Sequence, residues 1–155
     1  MSDADKSMSL IPIGFVKSPF KEPTAEHLDL EAIIAEIVID ANLIEALDGL
    51  EGFSHIIVLY WMHRTTHPKQ KLKGHPMGRT DVPEQGIFAL RTPHRPNPIG
   101  KSTVRLLGRR GNVLKVQGLD AIDGTPVIDI KPYIPGYDSV KDAAVPSWIL
   151  REENK

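Results

Sequence analysis

The apolar positions of this chain fall in short runs, most of them strand-like in length and content. Ser9 to Val16 is a β-type run ended by Ser18-Pro19. Ala35 to Ile39 is rich in β-branched residues and predicts a strand. Asp40 or Asn42 can cap a short helix that runs to Leu47 and ends at Gly49. Phe53 to Met62 holds Ile56-Ile57-Val58-Leu59-Tyr60-Trp61. Period alone does not separate a buried strand from a buried helix there, but β-branched and aromatic content favours the strand. Gly86 to Leu90 reads as a further short strand. Ser102 to Leu107 and Val113 to Val116 form a hairpin around Arg109-Arg110-Gly111-Asn112. Asp123-Gly124-Thr125-Pro126 is a turn, and Val127 to Ile130 is a strand that Lys131-Pro132 ends. Between these runs His63 to Gln85 has little apolar content, and a loop of that length in a compact domain is usually functional or disordered.

Six or seven short strands and one short helix, with no strand–helix–strand alternation, predict a mainly β fold. The expected architecture is a small closed or half-closed β-barrel with long loop insertions, a single domain over residues 1–155. No GxGxxG or Walker-type glycine loop is present, which argues against a doubly wound nucleotide fold.

Composition narrows the chemistry. There is no cysteine, which removes disulfides, thiolate catalysis and cysteine-ligated metal centres. The longest apolar run is too short to span a bilayer and the first residues are polar and acidic, so a cytoplasmic protein without a membrane partner is expected. Charge is segregated: net −8 over residues 1–63, +9 over 64–110 and −2 over 111–155. A basic face for an anionic partner, RNA or a nucleotide, is the corresponding expectation. Lys69, Lys71, Lys73 and Arg79 in the long loop are the candidate phosphate contacts. His63 and His67 stand four apart without an acidic residue that would complete a zinc motif, so no metal is expected.

The densest chemistry lies in Arg91-Thr92-Pro93-His94-Arg95-Pro96-Asn97-Pro98-Ile99-Gly100. Each proline fixes its own φ and disfavours helix at the residue before it. The segment is therefore a loop of nearly predetermined shape carrying two guanidiniums, an imidazole and an amide. Rigidity of that kind suits a binding site, because part of the ordering entropy is already absent from the unfolded chain. Elsewhere Asp129 stands in an apolar strand just before Lys131, a setting in which a carboxylate is usually paired or catalytic.

Several blocks together resemble the TsaA-like, or TrmO-type, family over nearly the whole chain. They are Ile13 to Val16 with Ser18-Pro19-Phe20, Leu47 to His55, Gly86 to Ala89, Arg95 to Gly100, and Asp123 to Val127 followed by Asp129 to Tyr133. The resemblance implies a small β-barrel methyltransferase that uses S-adenosylmethionine and methylates the exocyclic nitrogen of threonylcarbamoyl-adenosine in tRNA, as a homodimer. It also implies cofactor contacts at His63, Arg64, Arg91, Lys101 and Gly118-Leu119-Asp120. Longer bacterial relatives continue into a C-terminal domain, so this chain reads as the short single-domain form.

The residues themselves agree with that chemistry. Arg91 or Arg95 can clamp a carboxylate through two parallel hydrogen bonds. Backbone groups from Pro96 and Asn97 through Pro98, Ile99 and Gly100 can read an adenine edge, and Asp120 can accept from an ammonium or a ribose hydroxyl. An exocyclic adenine nitrogen is a poor nucleophile, so a base is expected nearby; Asp129, with Lys131 setting its charge, and Tyr133 are the candidates. A non-catalytic nucleotide- or RNA-binding barrel and a methyltransferase acting on a small molecule are the alternatives.

Overall fold

The computed structural model describes residues 6–23, 29–65 and 71–149, and these divide into two compact units. The first comprises residues up to Thr65 together with Pro98–Tyr133, and the second comprises Thr66–Asn97 with the residues from Ile134 onward.

Six strands of the first unit close into a barrel. In chain order they are β1 (Gly14–Lys17), β2 (Ile34–Ile39), β3 (His55–Trp61), β6 (Ile99–Arg110), β7 (Val113–Gln117) and β8 (Pro126–Pro132). Around the barrel the order is β1-β2-β7-β6-β3-β8 and back to β1, and every pairing is antiparallel. Closure leaves this sheet no free edge, which removes the hazard of unpaired strand backbone. Alternation along each strand sends one set of side chains inward. Val16, Ile37, Ile56, Val58, Val104, Leu114, Val116 and Val127 are essentially inaccessible and form the core. Gly14 is required at the β1–β2 contact, where a Cβ would lie 2.4 Å from the Val38 carbonyl oxygen.

The predicted strands at Ala35–Ile39, Phe53–Met62 and Val127–Ile130 and the hairpin at Ser102–Val116 are present, the hairpin extended in both directions. The predicted short helix is a 3-10 segment over Ala41–Leu47, capped by the Asp40 side chain, which accepts from the Asn42 amide. Two expectations are corrected. The first strand starts at Gly14 rather than Ser9; Pro12 lacks the amide a ladder needs, and Leu10 and Ile11 face solvent. Gly86–Leu90 is not a strand. Only Gln85–Gly86 pairs, as β5 against β4 (Lys73–Gly74), and Ile87–Ala89 is a 3-10 turn. Ile87 and Leu90 are each 7% exposed and three apart, whereas Phe88 between them is 83% exposed. That spacing matches the three-residue period of the 3-10 turn and not strand alternation.

The second unit is built on β4, β5 and short turns. Arg79 braces it, pairing with Asp81 through Nη2 at 2.7 Å and donating from Nη1 to the Trp148 carbonyl at 3.3 Å. After the barrel the described chain carries a helical turn, Pro135–Asp138, and helical residues again at 147–149. Among the described residues no helix is long and apolar enough to cross a membrane.

Candidate functional site

Strand direction alternates around the barrel, so the ends of β1, β3 and β7 and the starts of β2, β6 and β8 share one rim. Many of the residues singled out from the sequence converge there: His63 and Arg64 after β3, Pro98 to Lys101 at the start of β6, and Gly118 to Asp120 after β7. Backbone hydrogen bonds tie the pieces together. The Met62 amide donates to the Pro98 carbonyl at 2.8 Å, and the Gly118 amide donates to the Ile33 carbonyl at 2.9 Å. Gly118 turns the chain at φ 94°, in the left-handed region that favours glycine, which lets Leu119 bury while Asp120 remains exposed.

A residue the sequence did not single out organises this rim. Tyr60 is 6% exposed, and its hydroxyl donates to the Asp120 carbonyl at 2.9 Å and meets the Ser102 Oγ at 3.1 Å. Its ring lies over Gly100, where a Cβ would sit 2.3 Å from Cε2. The glycine that ends the proline motif is therefore imposed by an aromatic ring on the neighbouring strand. The signal was available in principle: a tyrosine inside a buried aliphatic strand carries a hydroxyl that must find a partner.

The other half of the rim is a staple between two sequence blocks. The Asp123 carboxylate accepts from the Ser18 amide at 3.0 Å and from Lys21 Nζ at 2.6 Å. The Gly124 amide donates to the Val16 carbonyl at 2.8 Å, and the buried Thr125 hydroxyl donates to the Ile122 carbonyl at 2.7 Å. The Lys21 ammonium, followed by the Ser18 amide, holds the Asp123 carboxyl below its ordinary titration range. Arg64 pairs with Glu22 on the same stretch of chain.

Within the second unit, the two arginines of the proline loop have different positions. Arg95 donates from Nη1 to the Leu90 carbonyl at 2.7 Å and the Thr92 carbonyl at 3.3 Å, bracing the loop from inside. Arg91 is exposed, and its side chain has no partner among the described residues. Pro96 and Asn97 are exposed as well.

Asp129 and Lys131 point outward from β8, in the same cross-strand rows as Leu59 and Ile57 of β3. They pair with each other at 2.9 Å, and the second Asp129 oxygen accepts from the Ile130 amide. That contact raises the Lys131 titration above the ordinary lysine value, so Lys131 is held as an ammonium. Tyr133 lies beyond the far end of β8, its amide donating to the His55 carbonyl and its ring edge-on to His55. A cavity of about 540 Å³ opens where β8 runs past the start of β1, lined mainly by apolar side chains including Leu47, Leu50 and Phe53, with Asp129 also in its wall.

The cationic segment is divided by the fold. Arg64 and Arg109 are taken up by acidic residues of the first third, Arg109 by both Asp48 and Glu51. Lys71 and Lys73 are exposed in the second unit, while Lys69 and His67 lie outside the described residues. Among the described residues no group of three or more metal-ligating side chains is brought together.

Known proteins resemble this chain in sequence and in fold. An S-adenosyl-L-methionine-binding protein of Archaeoglobus fulgidus is 45% identical over 135 residues, covering 86% of this chain and 94% of its own. A tRNA (adenine(37)-N6)-methyltransferase of Mus musculus is 37% identical over 141 residues, covering 86% of this chain but 32% of its own. The crystal structure of TrmO from Pseudomonas aeruginosa superposes with a TM-score of 0.71 at 37% identity, covering 89% of this chain. This chain spans 61% of that TrmO chain. The family described as tRNA-methyltransferase O N-terminal domain matches residues 15–139, from the middle of β1 to just past the helical turn that follows the barrel, and the chain belongs to that family.

Proposed function

We propose that the chain is an S-adenosylmethionine-dependent tRNA methyltransferase domain acting on the exocyclic amino nitrogen of an adenosine, with threonylcarbamoyl-adenosine as the specific substrate. Family membership supports the activity, and the names of the two relatives support the cofactor and the target nitrogen. The observation that carries the assignment to residues is the convergence of the β3, β6 and β7 ends on one rim, locked by Tyr60.

S-adenosylmethionine supplies an electrophilic methyl group and presents a carboxylate, an ammonium and a ribose diol. The available donor set suits these groups. On the barrel rim the exposed Asp120 offers acceptor oxygens for an ammonium or a hydroxyl, and within the second unit Arg91 offers a guanidinium without a partner among the described residues. Arg95 spends its Nη1 on the loop carbonyls, which favours Arg91 as the clamp. Tyr60 fixes the backbone that carries Asp120, which limits the motion of that contact. Methyl transfer needs nitrogen, carbon and sulfur in line, and holding them so is worth up to roughly 7–11 kcal/mol in ideal intramolecular cases. A rim of mutually hydrogen-bonded turns is suited to that task.

Asp129 is the carboxylate the sequence offers for the proton on the target nitrogen. In the fold it is engaged by Lys131 and the Ile130 amide. With the pair on the outer wall, Asp129→Asn is expected to leave cofactor affinity unchanged and turnover within a few-fold. A fall of a hundredfold or more in turnover at unchanged affinity would instead identify Asp129 as the proton acceptor.

Titration calorimetry with S-adenosylmethionine and transfer of labelled methyl to tRNA from a strain lacking the native enzyme test the assignment. Arg91→Ala is expected to weaken cofactor binding by about 1–3 kcal/mol. Label in tRNA from that strain but not in tRNA lacking threonylcarbamoyl-adenosine would establish the substrate. Cofactor binding without transfer to any tRNA would favour a non-catalytic barrel, and label in small metabolites alone would favour a small-molecule enzyme. A homodimer is part of the same proposal, supported by the exposed Leu72, Met77 and Phe88 of the second unit; light scattering tests it.

A further inference from the structure

We propose that the outer wall of β6 and β7 is the track on which the RNA backbone lies, a role that rests on the tRNA reading above and assigns it a surface. The outward positions of β6 include Lys101, Thr103, Arg105 and Arg110, all exposed, and Lys115 projects from the same wall on β7. The register makes them neighbours: Arg110 stands beside Val113, and Lys115 stands beside Gly108.

These cations differ from most of the others in the barrel unit. Lys21, Arg64, Arg109 and Lys131 each hold a carboxylate. The side chains of Lys101, Arg105, Arg110 and Lys115 have no partner among the described residues. Among the described residues, the strand register sets two carboxylates beside them, while Asp48 and Glu51 are committed to the neighbouring Arg109. Glu36 adjoins Lys115 in the register with Lys17 on its other side, and Asp129, in the Leu59–Lys101 row, is committed to Lys131. The wall therefore keeps an excess of positive charge that the fold does not use, as a polyanion site requires.

Two geometric features favour an extended phosphate chain as the occupant. At a rise of roughly 3.3–3.4 Å per residue, Lys101 and Arg105 lie about 13 Å apart along one straight strand, with the Thr103 hydroxyl between them. Leu107 is the extra residue of a bulge, and Gly108, next to it, pairs with Lys115. The φ of Gly108 is not in the left-handed region and a Cβ there would meet nothing within 4 Å, so neither a left-handed turn nor a close contact requires the glycine. A bare backbone between Arg105 and Arg110 allows a sugar-phosphate chain to approach closely. The track also leads somewhere. It descends β6 to Ile99 and Pro98, on the rim where Tyr60 holds Asp120, so RNA lying along it delivers an unpaired base to the proposed methyl-transfer site.

The test is a salt titration of tRNA binding by the full chain and by an Arg105→Ala, Arg110→Ala, Lys115→Ala triple variant, with S-adenosylmethionine affinity measured alongside. Every phosphate that no longer meets a cation takes roughly 0.7–0.9 from the log–log salt slope. The triple variant is expected to lose roughly 2–3 units of slope and at least about tenfold in tRNA affinity near 0.1 M salt, with unchanged cofactor affinity. An Arg105→Lys, Arg110→Lys, Lys115→Arg variant, which keeps the charge, should retain the parental slope. A triple variant with parental slope and affinity overturns the track, and if its oligomeric state changes instead, the wall is an interface between copies. A parent chain that binds cofactor but no tRNA removes the substrate assignment itself, an outcome distinct from failure of the track.

Discussion

At the scale of single residues, the Tyr60–Gly100 contact links sequence to site most tightly. The ring fills the place a side chain would take, so Gly100→Ala forces overpacking in a closed core. The expected cost is about 1–3 kcal/mol in chemical denaturation. Tyr60→Leu in the Gly100→Ala background should recover part of that loss, since contacting residues couple. Tyr60→Phe keeps the ring but removes the hydroxyl from Asp120 and Ser102. It should cost about 0.5–1.5 kcal/mol in stability and weaken S-adenosylmethionine binding several-fold, as the Asp120 turn loses its anchor. Asp123 gives a pH-dependent counterpart. Its titration is lowered in the folded chain, so its contribution is complete above the ordinary carboxylate value and is lost as pH falls through the lowered folded value. The Ser18 amide resonance should report that loss in acid, and in Asp123→Asn it should show no such transition.

At the scale of elements, most strands of the barrel were legible because β-branched runs bounded by Gly, Pro and Asp leave few alternatives; β3 and β8 are the clearest cases. What escaped was set by tertiary placement. Nothing local distinguishes Ile87-Phe88-Ala89 from a strand until Ile87 and Leu90 are both seen to bury. Likewise, the charge of residues 64–110 suggested one basic face. The fold spends Arg64 and Arg109 on Glu22, Asp48 and Glu51, and leaves the β6–β7 wall charged. Composition sees the sum of charges, and only the register shows which cations have partners. Half of the site was legible for a different reason. The prolines at 93, 96 and 98 fix backbone shape by covalent geometry, independent of the rest of the chain. Pro93→Ala with Pro96→Ala should therefore act through the unfolded state. Each is expected to cost roughly 0.4–1 kcal/mol in melting experiments, with the cofactor affinity of the folded chain and the barrel's circular dichroism unchanged.

At the scale of the whole molecule, the two units should differ in local stability, and hydrogen exchange can measure that difference. The barrel closes on itself and buries Ile37, Val58, Leu114 and Val116 almost completely, so its amides open only when many contacts break together. Among its described residues the second unit has one two-residue strand pair, β4 with β5, and short turns around Val82, Ile87 and Leu90. Its amides should exchange through smaller openings of lower free energy. A ligand that binds only the folded form adds protection where it binds and stabilises by RT ln(1 + [L]/Kd), which at a hundredfold excess over Kd is about 2.7 kcal/mol. S-adenosylmethionine is therefore expected to slow exchange on the barrel rim at Gly118 to Asp120, and to leave Val113 to Val116 near their ligand-free rates wherever those amides exchange by local rather than global opening. Protection confined to Leu47 to Phe53 would instead place the cofactor in the apolar cavity beside β8 and take the rim out of catalysis.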